Sequence, residues 1–365
     1  MDRQEIYEML TAAHPPVQIA VWLRERYFPE IVRRFNADNS RKRFGLYQNE
    51  QIPSNERNLT DVRTRMGVLI EFELARISNE LLPEVGINDI FWSYVVANRF
   101  PDLEIRNNLG ERQLRLEIKC LQCVAEEKSA NFDTLKKDID PSTDYVVVCL
   151  WDWSKKTSSF CNWDSVPIIY KIYVFHAYSL TLLRDSYWLN NPPSNLGEGY
   201  QGFDIRYAVT CTNGVYSKEQ GNYGKLTRIW KEDFPFKPTE TEELLDTERE
   251  YFTFQKEIIF EGFKILAYSH LSSLVSSFCG IEQVLREGIV IGYKAGDYIY
   301  ILQSKIGSRS LQRNLQDIAS ENECSVIVAM NEKYHSKIYK KNGASLSQLE
   351  SINKPKNIIA CLNRL

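Results

Sequence analysis

Three charged residues stand close together in a stretch whose pattern is otherwise that of β-strands. Asp102 follows a proline, and Glu117 and Lys119 alternate with leucine and isoleucine, in the segment RFPDLEIRNNLGERQLRLEIKC at residues 99–120. A period of two places Glu117 and Lys119 on the same face of a strand, about 7 Å apart. Carboxylates and an ammonium group at one place can bind a metal ion and activate water. This spacing therefore suggests metal-assisted hydrolysis.

The turn signal NNLG predicts that this segment folds into a hairpin. If the pairing is antiparallel and centred between Leu109 and Gly110, Asp102 lies opposite Glu117. Two like charges in that position are destabilising unless a cation lies between them. Carboxylate oxygens suit Mg²⁺, which could activate water for hydrolysis of a phosphodiester. Lys119, one pleat further along, would orient or deprotonate that water, or stabilise developing negative charge.

A simpler interpretation is open for the same residues. Asp102 could begin a turn after Pro101, while Glu117 and Lys119 line a strand face in contact with solvent. A glutamate two residues before a lysine is a common pattern, and the chain has a second example at 126–128. The combination of Pro-Asp, a turn and an apolar strand that carries Glu-x-Lys is much more specific than either part.

The segments FPDLEI and RLEIKC resemble the core of the PD-(D/E)XK nucleases, and especially of type II restriction endonucleases. In that family a strand with Pro-Asp pairs with a strand with Glu-x-Lys. The resemblance includes a preceding helix with a Gly-x-x-x-Glu pattern, here GVLIE, and a following apolar strand, here YVVVCLWDW. It covers roughly residues 60–155, which is under a third of the chain.

The resemblance implies a fold and a set of site residues. The expected fold is α/β, a restriction-endonuclease-like core with a central mixed β-sheet flanked by helices, plus helical N-terminal and small α/β C-terminal additions. By the resemblance, Asp102 and Glu117 bind Mg²⁺ with Ile118 as a further metal ligand, Lys119 assists the attacking water, and Glu71 completes the acidic site. The expected activity is Mg²⁺-dependent, sequence-specific cleavage of double-stranded DNA that leaves 5′-phosphate and 3′-hydroxyl ends.

Two glutamates of the preceding helix compete for the last of these roles. Glu73 lies on the helix face with the large apolar residues, where it could instead pair with Arg76. Glu71 lies on a stripe with Gly67 and other small residues, which allows close approach to a neighbouring strand or phosphate. The family's spacing from glycine favours Glu71, and the apolar pattern favours Glu73. We select Glu71 and keep Glu73 as the alternative.

Hydrophobic periodicity predicts the elements that must position these residues. Helices are expected over residues 1 to about 35 and from residue 60 or 61 to about 82, then strands between residues 92 and 153, and next a strand followed by a helix. Further on we expect helix to about residue 286, two strands across a KAGD turn, a helix near 308–321 and a strand at SVIVAM. No internal repeat is evident.

We divide the chain into an N-terminal helical region and basic loop at 1–59, a catalytic core with DNA-binding insertions at 60–235, and a C-terminal α/β region for DNA recognition or dimerisation at 236–365.

The net charge of −3 means that binding to nucleic acid would depend on local basic patches. Three polar segments offer such patches, and each taken alone could be an ordinary solvated loop. Their candidate DNA-binding residues are Arg41, Lys42, Arg43, Lys128, Asn131, Asn222, Lys225 and Arg228. The C-terminal segments SKIGSRSLQRN and NEKYHSKIYKKNG are also basic.

The expected partner is double-stranded DNA, bound by a homodimer, because the two strands of a duplex need two active sites. One alternative is a repair or Holliday-junction nuclease with the same site. Another is a DNA-binding protein without catalysis.

The eight cysteines are scattered, several of them in apolar segments, and no apolar run reaches the length of a membrane span. We therefore expect a cytoplasmic protein with reduced thiols and no membrane association.

Overall fold

The computed structural model shows a mixed α/β fold with two mixed β-sheets and several helices. The residues that it describes are 2–38, 60–95, 100–125, 132, 134–153, 167–190, 242–275, 279–303, 308–343 and 345–364. The chain forms two compact units. Unit 1 comprises Met1–Gln122 with Lys128–Gln255, and unit 2 comprises Cys123–Glu127 with Lys256–Leu365. The division into 1–59, 60–235 and 236–365 stays a prediction.

Unit 1 contains a five-stranded sheet whose strands lie in sequence order. They are β1 (Ile90–Tyr94), β2 (Leu103–Asn107), β3 (Arg112–Gln122), β4 (Asp144–Trp153) and β5 (Pro167–His176). Neighbouring strands are antiparallel except β3 and β4, which are parallel. All ten residues of β4 are buried, as expected for an apolar central strand that is covered on both faces. The strands predicted between residues 92 and 153 are therefore confirmed, together with the strand that follows them.

Helices cover this sheet, as their apolar spacing predicts. In unit 1 they are α1 (Arg3–Leu10), α2 (Pro16–Trp22), a π-helical segment (Leu23–Tyr27), α3 (Phe28–Ala37), α4 (Thr60–Glu84) and α5 (Ala177–Asn190). Residues of α1 to α4 share one hydrophobic cluster with the sheet. The side-chain amide of Asn79 on α4 holds both backbone groups of Trp92 on β1, with bonds of 2.7 and 2.9 Å. This pair of bonds fixes α4 against the first strand.

Unit 2 contains a six-stranded sheet that is also ordered along the chain. Its strands are β6 (Glu282–Arg286), β7 (Ile289–Ala295), β8 (Tyr298–Leu302), β9 (Val326–Met330), β10 (Ser336–Asn342) and β11 (Ser345–Ile352). Its helices are α6 (Glu242–Leu274), in which the boundary between the units falls, α7 (Ser308–Glu321) and α8 (Ile358–Leu362). Only β8 and β9 are parallel neighbours.

One predicted helix is wrong at its end. We expected helix to about residue 286, but α6 ends at Leu274 and Glu282–Arg286 is strand β6. Within β6 only Val284 is buried, so the alternation that marks a strand is almost absent from the sequence. The strands across the KAGD turn, the helix at 308–321 and the strand in SVIVAM are confirmed.

None of the helices in the described part of the chain combines the length and hydropathy that a membrane crossing needs.

An ion-pair network joins α3 to the end of α4, and it provides a test of the packing of unit 1. Glu30 accepts bonds from Arg33 and Arg34, and Arg34 also binds Glu84 at 2.7 and 2.9 Å. The hydrogen bonds from Arg33 lower the pKa of Glu30 to about 2; burial opposes them, and Arg34 acts in the same direction as Arg33. A carboxylate with a lowered pKa stabilises the fold above its unfolded pKa, and this stabilisation is lost as the pH falls towards 2.

Replacement of Glu30 by glutamine is expected to lower the free energy of unfolding at neutral pH by about 0.5 kcal/mol, because the pair is partly exposed. The loss should shrink as the pH falls towards about 3. Urea denaturation at the two pH values measures it. An equal loss at both would show that the charge of Glu30 is not responsible.

Candidate active site

The hairpin of β2 and β3 has the predicted register at the end where the charged residues lie. Leu103 faces Leu116 and Glu104 faces Arg115, so facing residues are centred between Leu109 and Gly110 as expected. Closer to the turn the register shifts by one residue, where Gly110 has a φ of +79°. That angle is in the left-handed region that favours glycine.

Asp102 directly precedes β2 and continues this ladder. Its N–H donates to the carbonyl oxygen of Leu116 at 3.0 Å, which places it beside Glu117. Its carboxylate Oδ2 accepts the N–H of Ile118 at 2.7 Å. Burial raises the pKa of Asp102, and the charge of Lys119 and the bond from Ile118 partly offset this effect. The carboxylate is thus fixed on the strand that carries Glu-x-Lys.

Glu117 and Lys119 lie on one face of β3 and are bonded to each other. The Nζ of Lys119 donates to Glu117 Oε1 at 2.6 Å, and both side chains are largely buried. Burial on its own would lower the pKa of Lys119, but the charges of Glu117, Asp102 and Glu71 outweigh it and raise that pKa. Lys119 therefore carries its proton in this state.

Glu71 lies in α4 and belongs to the same group of charges. Burial is the largest cause that raises its pKa, to about 7, and the negative charge of Asp102 adds to the effect. The charge of Lys119 and a hydrogen bond from Tyr94, whose hydroxyl donates to Glu71 Oε2 at 3.2 Å, act in the opposite direction. Glu117 raises the pKa further. Three carboxylates and one ammonium thus interact at one end of the hairpin.

Glu73, the alternative to Glu71, has a different environment. Its Oε2 accepts bonds from Nε and Nη2 of Arg76 at 3.0 and 2.8 Å, one turn further along the helix. This is the ion pair that we considered for Glu73 in the sequence. The structure thus brings Glu71, and not Glu73, to the charged cluster.

A close approach of α4 to β3 accounts for the position of Glu71. A Cβ atom added at Gly67 would lie 3.7 Å from Cys120 Cβ, which is ordinary van der Waals contact. The Sγ of Cys120 donates to the carbonyl oxygen of Gly67 at 3.7 Å. Glu71 lies four residues after Gly67, on the same face of the helix. This face of α4 therefore lies directly beside the strand with Lys119.

Tyr94 also contacts Glu71, and its pattern in the sequence does not predict this contact. Tyr94 is the last residue of β1 and pairs with Leu103, one position from Asp102. Its ring stacks on that of Phe72, with centroids 4.4 Å apart and planes inclined by 9°. An antiparallel pairing of β1 with β2 would have placed Tyr94 near the site, but the sequence gives no turn signal that sets this register.

Arg115 is a second missed residue, and it supports the segment that carries Asp102. Its Nε donates to Asp144 Oδ1 at 2.6 Å, across the parallel pair of β3 and β4. The guanidinium carbon lies 5.3 Å from the centre of the Phe100 ring, two residues before Asp102. A stacked and paired arginine of this kind restrains the chain on both sides.

The remaining predicted site residues have little or no structural description. The predicted DNA-binding residues Arg41, Lys42, Arg43, Lys128, Asn131, Asn222, Lys225 and Arg228 lie outside the described residues. Ile118 has only backbone atoms to offer a metal ion, and its N–H is bonded to Asp102. Its assignment as a metal ligand stays a prediction.

The chemistry of the cluster suits a divalent cation. Three carboxylates supply the oxygen ligands that Mg²⁺ prefers, and the raised pKa values of Glu71 and Asp102 reflect burial and negative charge that a cation would offset. In the described part of the chain, however, no three His, Cys, Asp or Glu side chains are arranged as a metal site. Two of the carboxylate oxygens accept bonds from Ile118 and Lys119 instead. The residue types therefore fit Mg²⁺, while two of the carboxylate oxygens already accept hydrogen bonds from other groups of the protein.

Comparison with protein-family models, with curated proteins and with solved structures finds no match for this chain. The function assigned to the cluster must therefore be argued from its own residues and their geometry.

Proposed function

We propose that this chain is a Mg²⁺-dependent deoxyribonuclease that hydrolyses phosphodiester bonds of double-stranded DNA in the manner of type II restriction endonucleases. The observation that carries the proposal is the position of Asp102 beside Glu117 in the ladder of β2 and β3, with the Lys119 ammonium bonded to Glu117 at 2.6 Å. An aspartate, a glutamate and a lysine in that order are the groups that the resemblance assigns to metal binding and to activation of water.

The arrangement of unit 1 supports a restriction-endonuclease-like core. The helix with Gly67 and Glu71 precedes the sheet, the Pro-Asp strand pairs with the Glu-x-Lys strand, and an apolar strand follows. These elements occur in the order that the sequence resemblance requires. The three carboxylates come from two different elements, the hairpin and α4, which meet at one place.

Each residue of the cluster has a chemical role in this proposal. Asp102 and Glu117 would hold Mg²⁺, with Glu71 as a third carboxylate. The bound ion would polarise the phosphate and favour ionisation of the attacking water. The Lys119 ammonium stabilises negative charge that develops on the phosphate oxygens. Glu71, with a pKa of about 7, can take up or release a proton at neutral pH.

Both strands of a duplex must be cut, and each chain supplies one such cluster. The proposed acting species is therefore a homodimer on a symmetric recognition site. Sequence specificity would come from contacts to base edges, and affinity from contacts to the phosphate backbone.

A digest of supercoiled plasmid with and without Mg²⁺ tests the proposal. The proposed activity gives discrete linear fragments in Mg²⁺ and none in EDTA. Cleavage only of branched or flapped substrates would replace restriction with repair or junction resolution. Binding without any cleavage, at all metal concentrations, would contradict the assignment of a nuclease.

Lys119→Gln is expected to lower the rate of cleavage by roughly 10²- to 10³-fold, because it removes the ammonium that faces the developing charge. Binding of the DNA duplex should change little, since one contact of several is lost. The measurement is a single-turnover cleavage rate together with a binding titration in EDTA. Lys171→Gln, which removes an exposed strand lysine of the same unit, is the matched control. Equal rates for the two variants would contradict the role of Lys119.

A further inference from the structure

Unit 2 repeats the arrangement of the elements that build the candidate site in unit 1. In unit 1, α4 precedes three antiparallel strands, and β4 then lies parallel to the third of them and antiparallel to β5. In unit 2, α6 precedes three antiparallel strands, and β9 lies parallel to the third and antiparallel to β10. The order and relative directions of one helix and five strands are thus the same, with α7 added between β8 and β9 in unit 2.

The preceding helix also packs in the same way in both units. Residues of α4 share a core cluster with alternate residues of the third and fourth strands, including Leu116 and Tyr145. In unit 2, Phe263 and Ala267 of α6 share a cluster with Tyr300 and other alternate residues of β8 and β9. In both units, therefore, the first helix packs on one face of the third and fourth strands.

The repeated arrangement lacks the acidic residues. In unit 1 the carboxylates come from the start of the second strand, at Asp102, and from the third strand, at Glu117. In unit 2 the second strand, IVIGYKA, and the third, YIYIL, contain no aspartate or glutamate, and glycine precedes the second. Without two carboxylates at this place, unit 2 has no means of holding a catalytic metal ion there.

The charge of unit 2 differs in sign from that of the rest of the chain. Unit 2, which is Cys123–Glu127 with residues 256–365, contains 14 lysines and arginines against 12 aspartates and glutamates, whereas the rest of the chain contains 31 against 36. Such an asymmetry points to a polyanionic partner for the basic part.

Two lysines of β10 place part of this positive charge at the surface of unit 2. Lys337 is exposed and Lys341 is partly exposed, and both lie on the face of the sheet to which Tyr339 belongs. Their strand partners are uncharged, namely Ala329 and Ser351 for Lys337 and Leu346 for Lys341.

No acidic side chain in the described part of unit 2 forms an ion pair with either lysine. Lys337 and Lys341 are four residues apart on one strand, so their Cα atoms are about 13 Å apart. A DNA duplex presents several phosphates over that distance.

We propose that unit 2 is a second copy of the core arrangement that has no catalytic carboxylates and that binds the phosphate backbone of duplex DNA through Lys337 and Lys341. The choice of DNA as the polyanion rests on the proposed function. Backbone contacts of this kind are independent of base sequence, so they would add affinity to whatever sequence unit 1 cleaves.

The test is a binding titration of the full chain with a fluorescein-labelled duplex in EDTA, repeated over a range of salt concentrations. Replacing each lysine by glutamine should reduce the slope of log K against log salt by about 0.9, which corresponds to roughly eightfold weaker binding per lysine at about 0.1 M salt. Lys294→Gln is the matched control, because Glu282 already neutralises Lys294 at 3.2 Å. It should leave the slope unchanged.

The outcomes separate this proposal from the proposed function. A reduced slope for the Lys337 and Lys341 variants supports the role of unit 2 even if the wild-type chain cuts no DNA in Mg²⁺. An unchanged slope, or no binding of duplex by the wild-type chain, overturns that role even if the chain cleaves DNA.

Discussion

Replacing Asp102 with asparagine is expected to lower the rate of Mg²⁺-dependent DNA cleavage by roughly 10³-fold or more, because it removes a negative charge from the proposed metal site. The asparagine side chain keeps an oxygen that can accept the N–H of Ile118, the bond that Asp102 accepts at 2.7 Å. The hairpin should therefore stay folded. This makes asparagine a better test than alanine, which would lose the charge and the hydrogen bond together.

The control for this variant is Asp138→Asn, which changes an exposed aspartate of the same unit. It should cleave DNA at the wild-type rate. Circular dichroism and thermal unfolding of both variants establish that they are folded. A folded Asp102→Asn protein that cleaves within tenfold of the wild-type rate would contradict the assignment of Asp102 to the site.

Replacing Glu71 with glutamine is expected to stabilise the metal-free protein at pH 8 by about 1–2 kcal/mol. Burial and the charge of Asp102 raise the pKa of Glu71 to about 7 from an ordinary value of 4.5. A carboxyl with a raised pKa binds more protons in the folded state, so the free energy of unfolding falls as the pH rises through this interval. Glutamine stays neutral and avoids the cost of the buried charge. The partial exposure of the site reduces the expected size.

Urea denaturation in EDTA at pH 8 and about pH 4 measures the effect. At the lower pH Glu71 is protonated in the folded state, so the gain should be largely lost. Glu73→Gln is the matched control on the same helix, and it should lower stability by up to about 0.5 kcal/mol through loss of the pair with Arg76. A destabilised Glu71→Gln protein at pH 8, or an equal gain at both pH values, would contradict the electrostatic account.

The hairpin could be predicted from sequence because its signals are local. A turn motif, an alternating strand and a proline before Asp102 specify the register, and the pairing of Leu103 with Leu116 confirms it. Strand β4 was equally clear, since an apolar run such as YVVVCLW at residues 145–151 is typical of a buried strand. Strand β6 was missed for the opposite reason, because only Val284 is buried in it.

The residues that surround the cluster depend on contacts that sequence spacing does not reveal. Tyr94 reaches Glu71 only through the pairing of β1 with β2. Arg115 meets Asp144 across a parallel pair whose register is set by packing and not by a turn. The competition between Glu71 and Glu73 was resolved by the rotation of α4, which places Gly67 against β3.

The repeat in unit 2 shows the same limit at a larger scale. We found no internal repeat in the sequence, yet the order and directions of the strands recur. Strand order depends on which apolar faces pack together, and many different side chains satisfy that requirement. Catalytic residues cannot be exchanged so freely. The lack of aspartate and glutamate in β7 and β8 is therefore visible in the sequence once the strands of the two units are matched.

The central claim is that a divalent cation binds between Asp102 and Glu117. The most direct measurement replaces Mg²⁺ with Fe²⁺ in the presence of hydrogen peroxide and ascorbate, so that hydroxyl radicals formed from peroxide at the bound ion cut the polypeptide beside it. The account predicts cuts close to residues 102 and 117 that excess Mg²⁺ suppresses and that are absent in Asp102→Asn. Cuts at other places only, or an identical pattern in the variant, would contradict it.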